Sequence, residues 1–295
     1  MSTIIIDGKA LAQNIRHDVA NRVSALKEKG ITACLAVIIL GDDPASQSYV
    51  RGKEKACGDV GILSRDYKLS STTSEEELVL LIEELNRDES VHGILVQLPL
   101  PKHINESTII ETIDPNKDVD GFHPNSLGKL MLGQDTFIPC TPHGVIKMLE
   151  SVDISTEGKN IVIIGRSHIV GSPLSQLLIQ KTPTGNATVT ICHSRTKNLS
   201  DFTKRADIII AAVGVPQMLT SDMVSDGVVI IDVGVNRVED STKAKGYRLV
   251  GDVDFEGMLN KASVLTPVPG GVGPMTITML LFNTIKSAEI TFDRR

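Results

Sequence analysis

Tyr49, Lys53 and Cys57 recur at i, i+4 and i+8, so they share one face if the segment from Pro44 to Gly61 is helical. A lysine held between an aromatic ring and a thiol is partly stripped of water. Desolvation disfavours the ammonium form and makes the amine a usable base near neutral pH. The alternative is that Tyr49 and Cys57 pack inward while Lys53 extends its aliphatic stem to reach water. Gln97, in Val96-Gln97-Leu98-Pro99, ends an apolar run and has an amide suited to orienting an amine or a water; as an ordinary strand end it would face solvent. Asp120, in Lys117-Asp118-Val119-Asp120-Gly121, could accept paired N–H groups of a heterocycle. Otherwise this pair of carboxylates makes an Asx turn before Gly121.

A second set of residues suits phosphate. Ile161-Val162-Ile163-Ile164-Gly165-Arg166-Ser167 leads to Gly171-Ser172-Pro173, a strand running through a glycine turn into a helix, where backbone N–H groups meet anions. It is neither GxGxxG nor a Walker loop, and a plain strand-to-helix turn reads equally well. The next strand ends Cys192-His193-Ser194-Arg195, where a site for NAD usually places a carboxylate on the ribose hydroxyls. Arg166, Ser194 and Arg195 instead suit a 2′-phosphate, which points to NADP; the other reading is solvated surface charge. Gly214 and Gly234-Val235-Asn236 follow apolar strands, and ligands gather at such strand ends in open α/β sheets. Pro267 through Pro274 concentrates proline and glycine, which dictates an unusual backbone path for either a ligand loop or a connector. His123, His143, His168 and His193 lack metal-ligand spacing, so no metal is expected.

Elements of two kinds must position these groups. Ala33 to Leu40, Ser64 to Leu69 and Gly93 to Gln97 read as strands, separated by helices at Pro44 to Gly61 and Ser74 to Arg87, the latter with Glu75, Glu76 and Glu77 in its first turn. Near-continuous apolar strands between helices predict a mostly parallel sheet covered on both faces. The pattern loosens after Asp114, a helix is expected from Thr141 to Glu150, and a fresh α/β series starts at Asn160. Its later strands are expected near Ala187 to Cys192, Asp207 to Val213 and Val228 to Val233, and Thr276 to Ala288 has amphipathic helical spacing. The connection between domains is therefore expected in the stretch after Asp114-Pro115-Asn116-Lys117 that leads into the helix at Thr141.

The chain has 295 residues, enough for two medium domains, with 41% apolar and 22% charged residues, ordinary for a protein with a substantial core. A net charge of -6 with no long Lys/Arg block gives no cationic field for a phosphate backbone, so nucleic acid is not expected as a partner. Met1 to Lys9 lacks the pattern of a signal peptide, and no apolar run approaches the ~20 residues that span a bilayer, so neither a leader nor a membrane partner is expected. Cys34, Cys57, Cys140 and Cys192 are widely separated and form no CxxC pair; reduced thiols and a cytoplasmic location are expected.

Together, these stretches resemble the bifunctional methylenetetrahydrofolate dehydrogenase/methenyltetrahydrofolate cyclohydrolase family. The carriers are Ser48-Tyr49-Val50-Arg51-Gly52-Lys53, Val96 to Pro99, Lys117 to Phe122, Pro139-Cys140-Thr141-Pro142, Gly165 through Gly171, and Pro267 through Thr276. They occur in family order over nearly the whole chain. The resemblance implies an α/β fold of two domains with a folate cleft between them: a catalytic domain over 1–140, onto which a last helix over 276–295 packs back, and a Rossmann-like NADP domain over 141–275. It implies that Lys53 is the central catalytic residue, that Tyr49 stacks on or positions the folate, that Gln97 tunes Lys53, and that Asp120 holds the pterin. Val96, Leu98, Pro269, Gly270, Gly271, Val272 and Gly273 would line the folate. Gly165, Arg166, Ser167, Ser194 and Val235 would contact NADP, with Arg195 as an addition from its position. Tetrahydrofolate derivatives and a second copy in a homodimer are the implied partners, and 289–295 stays unassigned.

The implied chemistry matches the residue types. Hydride loss from the bridging methylene carbon leaves a cation delocalised over two nitrogens, so alignment matters more than a strong base. Hydrolysis of that cation needs a proton to be moved, which suits a lysine whose ammonium form the neighbouring cation disfavours. Two other readings stand beside it. One is an NAD(P) dehydrogenase for another small substrate on the same plan; the other is a dinucleotide-binding regulator without chemistry.

Overall fold

The structure, a computed structural model, describes residues 2–243 and 246–293; Arg294 and Arg295 of the unassigned tail and the side chains of Pro44, Ala45 and Ser48 lie outside the described residues. The chain opens with β1 (Ile4–Ile5) and α1 (Gly8–Glu28), then alternates β2 (Cys34–Leu40), α2 (Pro44–Val60), β3 (Leu63–Leu69), α3 (Glu75–Arg87) and β4 (Gly93–Val96). Three helices follow: α4 (Glu106–Thr112), α5 (Pro124–Met131) and α6 (Cys140–Glu150). The next series is β5 (Asn160–Ile164), α7 (Gly171–Ile179), β6 (Thr188–Cys192), α8 (Leu199–Thr203), β7 (Ile208–Ala211) and β8 (Val229–Asp232). The last elements are β9 (Asn236–Glu239), β10 (Tyr247–Val250), α9 (Phe255–Met258), β11 (Val264–Leu265) and α10 (Val272–Asp293).

Two units result, one of Gln13–Cys140 with Ile277–Arg295 and the other of Met1–Ala12 with Thr141–Thr276. The first unit holds a three-stranded parallel sheet in the order β3-β2-β4. Every residue of the central strand, Cys-Leu-Ala-Val-Ile-Ile-Leu, is buried, which is why it reads as a continuous apolar run rather than an alternating one. Leu78, Ile82 and Leu85 of α3 pack against one face. That helix starts where the sequence demands it: Ser74 accepts from Glu77 N while the Glu77 carboxylate accepts from Ser74 N, a reciprocal capping box. The last part of α10 is stitched to the same unit, Ser287 Oγ donating to the carbonyls of His92 at 2.6 Å and Asn116 at 2.9 Å.

The second unit is a six-stranded parallel sheet in the order β1-β11-β8-β7-β5-β6. Its order reverses at β5, so the carboxyl ends of β5 and β7 flank a topological switch point. A two-stranded antiparallel ribbon of β9 and β10 extends from it. Among the described residues, no helix is long and apolar enough to cross a membrane.

Three features depart from the sequence expectations. The first residues belong with the second unit and not with 13–140, because β1 pairs with β11 and Thr3 Oγ1 donates to Ala262 O at 2.8 Å. Ile4 and Ile5 are exposed, so the edge strand is held by its backbone and leaves no hydrophobic signature. Helix α1 was not anticipated, although Ala12, Val19, Val23 and Leu26 bury one of its faces. The final helix starts at Val272, not Thr276.

Candidate active site

Lys53 is carried by α2, which Asp43 caps by accepting from Ser46 N at 2.7 Å and which Gly61 ends in the left-handed conformation at φ 85°. Exposure falls along the face predicted from spacing: Tyr49 is 40%, Lys53 8% and Cys57 0% exposed. Lys53 therefore does not snorkel to water; its Nζ donates to Gln97 Oε1 at 3.0 Å. Gln97 is set in place by its backbone, whose N–H extends the β4 ladder to Ile38 O at 2.8 Å, and by its amide, which donates to Leu98 O at 2.7 Å. The amide oxygen is thereby the atom left to face the lysine. Val96 is buried and Leu98 half-buried beside it.

The two carboxylates of the next motif have separate tasks. Asp118 is buried and accepts from Gly121 N, Phe122 N, His123 N and Ser126 Oγ, all between 2.9 and 3.2 Å. It is the Asx-turn residue. Gly121 lies at φ 80°, and a Cβ there would meet Pro139 N at 2.7 Å, so glycine lets the segment leading into α6 press against the turn. Asp120 is half-buried and hydrogen-bonds the Cys140 thiol.

Burial lowers the Lys53 pKa, and the charges of Asp120, then of Cys140 and Cys57, partly restore it. Burial also raises the Asp120 carboxyl, which Lys53 opposes. Cys57 is pushed up to about 12 by burial, and Cys140 well above its ordinary range by burial and by Asp120, so both are neutral thiols. A buried amine whose ammonium form burial disfavours, an amide acceptor and a carboxylate beside them form a group able to move a proton and to bind polar N–H groups.

The cofactor candidates occupy the second unit. Gly165 lies at φ 127°, where a side chain would strike the Ala212 carbonyl, and a Cβ on Gly171 would strike Gly165 O. The two glycines thus close a tight turn at the start of α7 that leaves Arg166, Ser167, His168 and Ile169 exposed. Strand register places Ile164 opposite Cys192, and Gly165 N donates to Cys192 O at 2.8 Å, so Arg166 and the turn His193–Ser194–Arg195 adjoin at one sheet edge. Ser194 and Arg195 are exposed, and the turn is held by His193 N donating to Thr196 Oγ1 at 2.9 Å. Val235 is exposed just past β8. This cradle of backbone and exposed guanidinium fits a dinucleotide with a 2′-phosphate.

The loop from Pro267 curls onto itself: Gly270 has φ 111°, and a Cβ on Gly271 would meet Pro267 O at 2.6 Å. Pro269 is exposed, Gly270 half-buried and Gly271 buried. Val272 and Gly273 are in the first turn of α10, a correction to their reading as loop. Proline at the third position of that helix costs no hydrogen bond.

Sequence reasoning overlooked several residues around these groups. Asn283, on α10, donates to Val119 O at 2.8 Å and Ile138 O at 2.9 Å, holding the Asp120 turn from behind. Nothing local marks an asparagine in an amphipathic helix for this. Asp232 and Asp252, both buried, tie the loops of the second sheet edge together; a lone carboxylate inside the apolar stretch Val228 to Val233 was the available signal.

Comparison with known families decides what this arrangement is. Residues 6–120 match the tetrahydrofolate dehydrogenase/cyclohydrolase catalytic domain, and residues 139–292 match the NAD(P)-binding domain of the same family. The chain belongs to the tetrahydrofolate dehydrogenase/cyclohydrolase family. A Bacillus subtilis relative, bifunctional protein FolD, is 53% identical over 291 residues, 99% of each chain. Among solved structures, the Campylobacter jejuni FolD methylenetetrahydrofolate dehydrogenase/cyclohydrolase is 52% identical, with a TM-score of 0.93 over 98% of this chain and 99% of that one. The Trypanosoma brucei dehydrogenase-cyclohydrolase, solved with NADP and an inhibitor, is 36% identical with a TM-score of 0.94, covering 99% of both chains. The tetrahydrofolate dehydrogenase/cyclohydrolase fold is thus matched over 98% of this chain.

Proposed function

We propose that this member of the family oxidises 5,10-methylenetetrahydrofolate to 5,10-methenyltetrahydrofolate with NADP and hydrolyses the product to 10-formyltetrahydrofolate. The observation that carries the reading is the buried Lys53 amine on Gln97 Oε1, electrostatically coupled to Asp120. Family membership and end-to-end relatives with both activities in their names favour it over a dehydrogenase for another substrate and over a non-catalytic regulator.

In the hydrolytic step, the oxygen of water bonds to the cationic methenyl carbon while Lys53, in its unprotonated form, takes one of the water protons. The Lys53 ammonium then returns that proton to the departing nitrogen as one carbon–nitrogen bond breaks, and the remaining hydroxyl proton passes to solvent as the formyl C=O forms. Gln97 keeps the lysine amine aimed, Asp120 accepts from the pterin N–H groups, and the exposed Tyr49 ring stacks on the folate. Val96 and Leu98 provide apolar contact, and the resemblance adds Pro269, Gly270, Gly271, Val272 and Gly273 to the folate contacts. Gly165, Arg166, Ser167, Ser194, Arg195 and Val235 would hold the dinucleotide, which would supply the hydride acceptor for the methylene carbon.

The resemblance also carries the proposal of a homodimer, which light scattering on the eluting protein tests. A cytoplasmic location agrees with four buried cysteines that are all free. The deciding assay supplies methylenetetrahydrofolate with NADP and NAD in parallel, and then authentic methenyltetrahydrofolate. Reduction of NADP together with methenyl hydrolysis is expected; no reduction of either cofactor removes the dehydrogenase, and intact methenyl substrate removes the cyclohydrolase.

A further inference from the structure

The carboxyl edge of the six-stranded sheet contains two buried carboxylates whose hydrogen bonds, among the described residues, go to backbone and side-chain groups outside those assigned to substrate or cofactor. Register places Ala211 of β7 opposite Asp232 of β8, so the loops after these strands adjoin. Asp232 is 3% exposed and accepts from Gly234 N, Asp252 N and Val253 N, each at 3.0 Å. Asp252 is 0% exposed, and its Oδ2 accepts from Val213 N at 2.6 Å and Gly214 N at 2.9 Å. Its Oδ1 accepts from Asn236 Nδ2 at 2.9 Å. Side chains on Gly234 and Gly251 would collide with these carboxylates, so both glycines exist to admit them.

One carboxylate therefore clamps the loop after β7, at the switch point, and the loop after β8, which presents Val235. Five backbone N–H groups and one amide converge on two side chains from which water is excluded. Such an arrangement fixes the loops far more rigidly than turn residues at a surface would. We infer that Asp252 is a positioning residue for the dinucleotide, setting Val213–Gly214 and Val235 relative to each other through its bonds to Val213, Gly214 and Asn236. The inference rests on the proposed NADP-dependent reading of this edge. It extends that reading to a residue that need not touch the cofactor.

Asn236→Asp places a second carboxylate against Asp252 without changing volume. NADP affinity, followed by titration calorimetry, is expected to fall about tenfold or more, the scale of an ångström-level misplacement. Methenyl hydrolysis, which needs no dinucleotide, is expected to stay within about twofold, a split that general damage to the fold would not produce. Asn236→Asp combined with Asp252→Asn restores a donor between the two positions and is expected to recover most of the affinity. NADP binding by Asn236→Asp at the wild-type level, or a double variant no better than the single one, overturns the role of Asp252. If Asn236→Asp does not fold, Asn236→Ser decides: unchanged NADP affinity overturns the role, and severalfold weaker binding with intact hydrolysis supports it. Wild-type protein that binds no NADP would instead remove the cofactor reading on which the inference stands.

Discussion

Lys53 Nζ donates a 3.0 Å hydrogen bond to Gln97 Oε1 across the gap between α2 and the end of β4. The bond joins a side chain that burial has made a weaker base to one whose orientation the strand ladder dictates. Removing the amine tests its consequence most directly. Lys53→Met keeps the stem and deletes the proton acceptor, and general acid–base groups contribute ~10²–10⁴-fold. Methenyl hydrolysis should fall by at least about a hundredfold, with NADP affinity unchanged by calorimetry. Hydrolysis at the wild-type rate would leave Lys53 without this role.

The sign of the lysine shift makes a pH prediction. Because burial lowers its pKa below the ordinary lysine value of 10.5, the neutral, active form accumulates at lower pH than for a solvated lysine. The hydrolysis rate should therefore rise with pH and level off below 10.5. Gln97→Glu substitutes a carboxylate for the neutral acceptor, which favours the ammonium form and should move that rise to higher pH. A pH–rate profile of the two proteins measures the displacement; a shift toward lower pH would contradict the electrostatic argument.

Asp118 and Asp120 should separate stability from binding. Asp118→Ala leaves three backbone N–H groups and the Ser126 hydroxyl without their buried acceptor, a loss of about 3 kcal/mol or more in urea unfolding. Asp120→Asn removes a carboxylate that burial already disfavours. Its unfolding midpoint should be equal or higher, while KM for the folate rises roughly tenfold from the loss of a charge-assisted acceptor. Equal effects of the two changes on stability would defeat this division.

Ser194→Asp tests the choice of dinucleotide. A carboxylate at the end of β6 repels a 2′-phosphate and suits a free ribose hydroxyl pair. KM for NADP should rise at least about tenfold, on the scale of one lost charge-assisted contact, while KM for NAD stays or falls. Steady-state kinetics with both cofactors would show it, and an unchanged ratio would move phosphate recognition away from Ser194.

The sequence alone determined the alternating elements and their order. Continuous apolar runs such as Cys34–Leu40 and residues 161–164 can be satisfied only between layers, while capping at Ser74 and the turn at Gly165 are local chemistry. The i, i+4, i+8 face of α2 was equally readable, because helical period needs no knowledge of neighbours. What the tertiary structure decided is which reading of each polar residue holds. Spacing could not distinguish a snorkelling Lys53 from a buried one; the difference is Gln97, 44 positions away in sequence. Nor could it tell which carboxylate of Asp118-Val119-Asp120 makes the turn, since that depends on where residues 137–139 return to press against Gly121. The edge strand Ile4–Ile5 and the Asp232–Asp252 clamp were hidden for the same reason. Their partners are distant in sequence, and a backbone ladder or a buried carboxylate takes its free energy from partners that only the folded chain brings within hydrogen-bond reach.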